Sequence, residues 1–211
     1  MMPARDPVRA RIQYYGGKLG GLLFGLRVSG SAGVPRSGGV IIACNHISEL
    51  DPPVLGCAVP RTVAFMAKVE LFRMKFTDFF LRKLNAFPVN RSAVDTGAIR
   101  NAISLLRQGE AVVIFPEGTR SHDGRMLPVK AGISLIAISS GVPVLPAFIW
   151  GTDHARGALT RTRARFSVAF GRMISSARIR EIKNRHGNRA VAESIMSAIA
   201  RTGHESGLYN E

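Results

Sequence analysis

The sequence predicts an α/β fold in a single domain, in which helices flank a central, mostly parallel or mixed sheet. Short apolar runs rich in Val and Ile alternate with longer segments whose apolar residues recur at helical spacing. No internal repeat and no low-complexity linker divides the chain. Its 211 residues, 46% of them hydrophobic, are enough to bury one substantial core, which a disordered chain could not do.

The apolar runs predict the strands, and the periodic segments predict the helices. Strands are expected at 40–44, 62–66, 86–89, 111–115, 142–150 and 165–170. Helices are expected at 70–84, 95–108, 130–140 and 190–200. Because Pro143 and Pro146 lack the N–H group that a ladder uses, their strand is predicted to be irregular or at an edge of the sheet.

His46 and Asp51 are the first candidates for catalysis. An Asp that accepts a proton from one ring nitrogen leaves the other nitrogen free to take a proton from a hydroxyl. The pair follows the strand at 40–44 and precedes Pro52 and Pro53, so we expect it in a rigid loop at a strand end. Alone, such a pair could serve hydrolysis, metal binding or no function at all.

The two cysteines, Cys44 and Cys57, lie outside any CxxC pattern and are predicted to be free, buried thiols. A nucleophilic pair of Cys44 with His46 is an alternative, since residues two apart on a strand share a face. However, Cys44 belongs to an apolar run, which favours a small core residue. The five histidines form no ligand pattern, so no metal is expected.

A second polar motif, at 115–121, also follows a predicted strand, so both motifs can converge on one cleft of the sheet. Gly118 permits close backbone approach, and Arg120 offers a fork of donors suited to phosphate or carboxylate. Glu117 is expected either to bind a substrate hydroxyl or to hold Arg120. The alternative is a surface turn with a local ion pair. A third candidate is Arg91, which follows the strand at 86–89.

Together these motifs resemble the 1-acyl-sn-glycerol-3-phosphate acyltransferase family, within the wider glycerolipid acyltransferase superfamily. The resemblance extends over about 39–148 and rests on the order and spacing of 45–51, 68–72, Arg91, 117–120 and the apolar run at 142–148. That last run carries no titratable group, so we expect it to shape the site rather than to take part in catalysis. Two positions depart from the family pattern: Asn90 stands where an Asp is usual, and Asn85 where a Gly is frequent.

The resemblance implies an acyltransferase that moves a fatty acyl group from a thioester donor to the free hydroxyl of 1-acyl-sn-glycerol 3-phosphate, giving phosphatidic acid. Acyl-CoA or acyl carrier protein would be the co-substrate, with no cofactor. His46 would be the catalytic base and Asp51 its partner. The acceptor would be bound by Lys68, Arg91, Glu117, Gly118, Thr119 and Arg120. Without a Gly-x-Ser-x-Gly elbow, no serine acyl-enzyme is required. Another lyso-lipid, such as lyso-ornithine lipid, is an alternative acceptor.

The formal charge of +15 favours an anionic partner, such as a membrane surface, a phosphorylated small molecule, an acidic carrier protein or nucleic acid. Basic and aromatic residues around short apolar turns predict that residues 1–30 form an amphipathic segment, which either lies in a membrane interface or packs on the domain. The acyltransferase domain is expected at 31–211. Because neither a transmembrane helix nor a signal peptide is evident, we expect peripheral or monotopic attachment at the cytoplasmic face of the cell membrane.

Two further sets of residues leave alternatives open. Phenylalanines at 65, 72, 76, 79 and 80 suit an acyl tunnel or, more simply, the core. Basic residues crowd the C-terminal third and suit lipid headgroups, an acidic carrier protein or plain solvation: Arg156, Arg161, Arg163, Arg165, Arg172, Arg178, Arg180, Lys183, Arg185 and Arg189. Nucleic-acid binding is not expected, since no helix-turn-helix, zinc or ribonucleoprotein signature accompanies the charge.

Overall fold

The structure, a computed structural model, describes residues 25–73, 78–79, 81, 85–90, 95–153 and 166–209. Its strands are β1 (Arg27–Ser29), β2 (Val40–Cys44), β3 (Val63–Lys68), β4 (Ala86–Val89), β5 (Ala111–Ile114), β6 (Val144–Trp150) and β7 (Ser167–Phe170). Its α-helices are α1 (Asp51–Ala58), α2 (Thr96–Arg107), α3 (Gly132–Ser140) and α4 (Ser176–Glu205). Short 3-10 helices cover Ser31–Gly33 and Val69–Arg73.

The seven strands form one sheet in the order β1-β7-β6-β2-β5-β3-β4. The strands from β6 to β4 run parallel, whereas β7 is antiparallel to β6 and carries β1 parallel to itself. The predicted single α/β domain with a mostly parallel or mixed sheet is confirmed. All five parallel strands end at the same edge, here called the carboxyl edge, where α/β proteins place their binding crevices.

The core lies on both faces of the sheet. Every residue of β2 is fully buried, because β2 is central and both of its faces are covered. Ile41 packs in a cluster with side chains of α2, α3 and α4. Ile42 packs in a second cluster with side chains of α1, such as Leu55. Continuous apolar runs therefore mark the inner strands, and all of the predicted strands are found.

Helix α1 replaces the rigid loop that was predicted to continue through Pro52 and Pro53. The two prolines occupy the first turn of the helix. Backbone N–H groups in a first turn have no intrahelical acceptor, so prolines are tolerated there. As a result, Asp51 is the first residue of a helix, and its side chain stands beside the loop that carries His46.

Of the two positions predicted from Pro143 and Pro146, irregular or at an edge, the edge position is wrong, because β6 lies between β2 and β7. The carbonyl of Pro146 accepts a hydrogen bond from Gly171 N–H at 2.9 Å, just beyond the last residue of β7. The nitrogen of Pro146 faces the same side as its carbonyl, where β7 is ending. An interior strand therefore accommodates this proline at little cost to the ladder.

The helix predicted at 95–108 is confirmed, whereas the C-terminal helix is longer than predicted. Asp95 caps α2 by accepting from Ala98 N–H at 2.9 Å, and Gly109 follows the helix with φ 87°, as predicted. Helix α4, predicted at 190–200, begins at Ser176 and is interrupted at Gly187, where φ is 80°. Its first half is rich in arginine and offers no apolar period. The helix expected at 70–84 begins as the 3-10 turn Val69–Arg73, and most of the remainder lies outside the described residues.

The N-terminal segment predicted at 1–30 lies mostly outside the described residues. Strand β1, at Arg27–Ser29, pairs with β7 and so belongs to the sheet of the domain. Among the helices that the structure describes, none combines the length and the apolar composition that a membrane span needs.

Candidate active site

The loop that carries His46 is fastened to the neighbouring strand through Asn45. The side-chain amide of Asn45 donates to the carbonyl of Ile149 at 3.0 Å, and its oxygen accepts from Ile149 N–H at 2.8 Å. Asn45 directly follows β2, and Ile149 is the last but one residue of β6, which is the adjacent parallel strand. The side chain thus continues the β2–β6 pairing past the end of β2 and fixes where the next residue stands.

The backbone and ring of His46 are held by the segment that follows β5. Its N–H donates to Glu117 Oε1 at 2.8 Å, and its carbonyl accepts from Ser121 N–H at 2.8 Å. The imidazole stacks on the ring of Phe115, with centroids 4.2 Å apart and planes inclined by 20°. The two polar motifs predicted at 45–51 and 115–121 therefore do meet in one site.

His46 and Asp51 form a hydrogen bond of 2.8 Å between Nδ1 and Oδ2, within the reach that general-base catalysis requires. The same oxygen accepts from the N–H groups of Ile47 and Ser48 at 2.7 and 2.8 Å. A carboxylate surrounded by donors acts as an acceptor, so Nδ1 carries the proton. Within the described residues Nε2 has no hydrogen-bond partner, which leaves its lone pair available.

Thr152 completes the surroundings of Asp51 and is absent from the predicted site residues. Its hydroxyl donates to Asp51 Oδ1, and both side chains are buried, at 1% and 0% exposure. Thr152 follows the end of β6 and comes directly after Gly151, whose φ is 87°. A polar residue just beyond the end of a predicted buried strand is the signal that would have found it.

Glu117 lies inside the site rather than on its surface, with 1% of its area exposed. Oε1 accepts from His46 N–H, and Oε2 accepts from Leu127 N–H at 2.8 Å. Burial raises the pKa of Glu117, and the two N–H donors partly oppose that shift. With both oxygens occupied by backbone donors, Glu117 ties the loop after β5 to the loop that carries His46. It does not pair with Arg120.

Arg120 pairs instead with Glu49, at 2.9 Å between Nη1 and Oε1. Gly118 has φ 69°, and a Cβ at that position would stand 2.7 Å from Cδ of Lys130. The glycine therefore leaves room for the side chain of Lys130, whose ammonium group lies against the motif. Lys130 is also absent from the predicted site residues, while Thr119 is exposed as a site for an external ligand requires.

Of the remaining predicted acceptor residues, the structure describes Lys68, which lies on the other flank of the carboxyl edge. Lys68 is the last residue of β3 and is exposed. Arg91 lies outside the described residues, but Asn90 just before it donates its N–H to Asp95 Oδ2 at 2.8 Å. Asn85 has φ 59°, in the left-handed region that glycine favours and that Asn tolerates better than most residues. This conformation explains how Asn85 substitutes for the frequent Gly.

The cysteines do not supply a nucleophile. Cys44 is fully buried, and its thiol points to Asn45 Oδ1 at 3.6 Å rather than to His46. Burial, with the nearby carboxylates of Asp51 and Glu117, raises the pKa of the Cys44 thiol well above its ordinary value, which disfavours the reactive thiolate. Cys57 is only half-buried, contrary to the prediction, and is likewise a free thiol.

The described phenylalanines do not form one cluster, since Phe65 is core and Phe79 is largely exposed.

Four of the ten C-terminal basic residues, at 156, 161, 163 and 165, lie outside the described residues. The others are exposed, and several make ion pairs within α4, such as Arg178 with Glu181 at 2.7 Å. Because β7 runs antiparallel to β6, α4 begins at the edge of the sheet opposite the site. No metal-binding group of three or more His, Cys, Asp or Glu is found in the described part of the chain.

The comparison with known families identifies the class of enzyme to which this sheet and its candidate site belong. The family model described as Acyltransferase matches residues 25–150, well over half of the chain, and the chain therefore belongs to this family of enzymes. Over 176 residues it is 31% identical to the 1-acyl-sn-glycerol-3-phosphate acyltransferase of Bacillus subtilis (strain 168), covering 83% of this chain and 86% of that protein. The resemblance predicted from the motifs is confirmed.

Two further comparisons agree in fold and family. The 1-acyl-sn-glycerol-3-phosphate acyltransferase of Borreliella burgdorferi is 32% identical over 129 residues, which are 60% of this chain and 52% of that protein. The crystal structure of the 1-acyl-sn-glycerophosphate acyltransferase PlsC from Thermotoga maritima matches with a TM-score of 0.77 at 30% identity. That match covers 100% of this chain and 86% of the other.

Proposed function

We propose that this enzyme transfers a fatty acyl group from a thioester donor to the free hydroxyl of 1-acyl-sn-glycerol 3-phosphate, which yields phosphatidic acid. The observation that carries the proposal is the His46–Asp51 bond of 2.8 Å at an edge of the sheet that also presents basic side chains. The names of the Bacillus subtilis and Borreliella burgdorferi relatives support this choice of acceptor.

His46 is the general base in the proposed reaction. Nε2 takes the proton of the acceptor hydroxyl as its oxygen attacks the carbonyl carbon of the thioester. The imidazolium that forms is stabilised by Asp51 through Nδ1, and it returns the proton to the thiolate as the C–S bond of the tetrahedral intermediate breaks. The products are the new ester and a free thiol, so no acyl-enzyme and no cofactor is needed.

The phosphate of the acceptor binds on the β5 and β3 side of His46 in this proposal. Arg120, Lys130 and Lys68 supply positive charge there. Arg91 follows β4 in the sequence but lies outside the described residues. The side chain of Arg120 is 33% exposed and that of its partner Glu49 is 73% exposed, so the ion pair between them is weak. An arriving phosphate can therefore take over the Arg120 guanidinium, while Gly118 and Thr119 leave room for its approach.

The acyl donor is assigned to the opposite flank of His46. A cavity of about 1100 Å³ adjoins the catalytic loop on the β6 and β7 side. Its wall combines apolar side chains with both acidic and basic ones, among them Ile47, Met126, Phe148, Leu208, Asp153 and Arg125. A mixed lining of this kind suits a ligand that is part acyl chain and part polar carrier. The two substrates would then meet at Nε2 from opposite sides.

The carboxyl edge is the face proposed to meet the membrane. Leu50, Leu71 and Trp150 follow or end strands at this edge and are between 41% and 43% exposed. Apolar and aromatic groups beside basic ones suit the interface of an anionic bilayer. Such contact would place the site where a lyso-lipid acceptor resides, with peripheral or monotopic attachment at the cytoplasmic face of the cell membrane.

The test is acyl transfer by the purified full chain with labelled acyl-CoA or acyl carrier protein as donor. The acceptors are 1-acyl-sn-glycerol 3-phosphate, the same lipid without phosphate, and lyso-ornithine lipid. We expect efficient transfer to the phosphate-bearing acceptor and a large loss of kcat/KM without the phosphate. Preferential transfer to lyso-ornithine lipid would make that lipid the acceptor in place of 1-acyl-sn-glycerol 3-phosphate. Transfer to none of the three acceptors would overturn the proposal.

A further inference from the structure

We propose that Thr152 is a positioning residue for the catalytic base, acting through the carboxylate of Asp51. The proposal rests on the function proposed above, in which His46 removes a proton from the acceptor hydroxyl. Thr152 is buried at the carboxyl end of β6, and its hydroxyl reaches Asp51 from the side opposite His46. It has no direct access to substrate, so its role is to fix the orientation of another group.

The two oxygens of Asp51 are supported very unequally. Oδ2 accepts from His46 Nδ1 and from two backbone N–H groups, those of Ile47 and Ser48. In the described structure Oδ1 accepts only from the hydroxyl of Thr152. Since Asp51 is fully buried, removal of that hydroxyl leaves a charged oxygen without a donor, which is far more costly than loss of an exposed hydrogen bond.

Thr152 is held in place independently of Asp51. It follows β6, which pairs with β2 through Ala147 and Cys44. The reciprocal bonds between Asn45 and Ile149 extend that pairing to the end of the strands. Because these pairings hold the strand end that precedes Thr152, its hydroxyl approaches Asp51 from an anchored part of the chain.

The constraint acts on the rotation of the carboxylate. An ionised carboxylate only accepts hydrogen bonds, so the hydroxyl of Thr152 must donate to it. A donor at Oδ1 and three donors at Oδ2 together fix the plane of Asp51. That plane directs an Oδ2 lone pair at Nδ1 of His46 and thereby keeps Nε2 oriented toward the acceptor. Without the hydroxyl the carboxylate turns toward other donors or water, and the Nδ1–Oδ2 bond lengthens.

The experiment compares Thr152→Val, which keeps the shape and removes the hydroxyl, with Thr152→Ser, which keeps the hydroxyl. For Thr152→Val we expect kcat to fall about 10- to 100-fold while KM for acceptor and donor changes less than about twofold. Thr152→Ser should retain kcat within roughly threefold. Thr202→Val is the matched control, because Thr202 is also buried and donates only to a helix carbonyl, that of Ala198.

A spectroscopic measurement reports on the positioning itself. The Nδ1–H proton of His46 should give a downfield proton NMR signal in the wild type, Thr152→Ser and Thr202→Val. In Thr152→Val that signal should move upfield or broaden as the bond to Asp51 lengthens. In an Asp51→Asn background, Thr152→Val should change kcat no further, since the residue acts through Asp51.

Several outcomes would overturn the proposal. A folded Thr152→Val protein with wild-type kcat and an unchanged Nδ1–H signal is one, and an equal loss of kcat in Thr202→Val is another. If Thr152→Val does not fold, Thr152→Cys, which keeps the volume with a much weaker donor, is judged by the same kcat comparison. If Thr152→Val has the wild-type kcat and His46→Gln is inactive, the role of Thr152 is refuted and that of His46 stands. Full activity of His46→Gln would instead refute His46 as the general base.

Discussion

The buried surroundings of His46 and the exposed rim around Arg120 lie at the same edge of the sheet but are built in different ways. His46, Asp51, Glu117 and Thr152 are at most 5% exposed, and each is held by hydrogen bonds to backbone or side chains. On the rim, Arg120 pairs with one exposed acidic residue in the described part of the chain, Glu49. In the proposed function, a base must keep one orientation and a phosphate site must stay open to an arriving anion, and the construction of the two regions suits those roles.

The largest expected effect comes from Asp51→Asn in the buried region. The Asn side chain keeps the shape, but its NH₂ group faces one of the donors that surround Asp51. The imidazole of His46 then loses its orientation, and its protonated form loses the negative charge that stabilises it. We expect kcat to fall about 10²- to 10⁴-fold. Steady-state acyl transfer measures this, with Glu181→Gln on α4 as the control. A loss smaller than tenfold in a folded protein would contradict the assigned role of Asp51.

Glu117→Gln tests whether the buried carboxyl is structural. One oxygen becomes an amide group that cannot accept from His46 N–H or Leu127 N–H, so we expect a loss of about 1–3 kcal/mol in the free energy of unfolding. Urea unfolding at several pH values measures it. Because burial raises the pKa of Glu117, the advantage of the wild type is greatest below about pH 4 and shrinks as pH rises through that raised pKa. An advantage that grows with pH would contradict this environment.

Arg120→Ala tests the rim. We expect KM for 1-acyl-sn-glycerol 3-phosphate to rise about tenfold, the equivalent of one lost charge-assisted contact, with kcat nearly unchanged. Glu49→Gln is the matched control, since it frees Arg120 of its partner and should leave KM equal or lower. The two variants should change the free energy of unfolding by less than about 1 kcal/mol. A fall in kcat without a rise in KM would instead indicate that Arg120 acts in catalysis with the groups around His46 and not in binding the acceptor phosphate.

Asp95→Ala gives the smallest effect and the opposite dependence on pH. Asp95 caps α2, and the N–H groups of Asn90 and Ala98 hold its pKa below the ordinary aspartate range. The loss in the free energy of unfolding should be about 0.5–2 kcal/mol near neutral pH and should fade as pH drops through that lowered pKa. A loss that persists undiminished below about pH 3 would show that the cap is not acting through its charge.

The sequence predicted which residues meet at the candidate site better than it predicted the contacts that they make there. His46 and Asp51 were recognisable because a strand, a polar loop and two prolines lie in succession, and a parallel sheet gathers such loops at one edge. The burial of Glu117 was not predictable, since its partners are backbone N–H groups of distant residues. Thr152 was missed although it stands just beyond a predicted strand, and Lys130 was missed because a single amine carries no spacing pattern.

The same limit applies to the fold. Continuous apolar runs predicted the inner strands, whereas the exposed strand β1 and the basic first half of α4 carry no apolar period. The interior position of β6 depends on β7 ending beside Pro146, which only the paired strands reveal. Local patterns therefore predicted the elements, while burial and partners required the three-dimensional arrangement.

The most direct test of the catalytic base is the rate of acyl transfer by His46→Gln. Gln keeps a polar side chain of similar reach but cannot accept a proton at neutral pH. With 1-acyl-sn-glycerol 3-phosphate and a thioester donor at saturating concentrations, we expect a folded variant to retain less than about one hundredth of the wild-type kcat. Transfer at a rate near that of the wild type would contradict the role of His46 as the base.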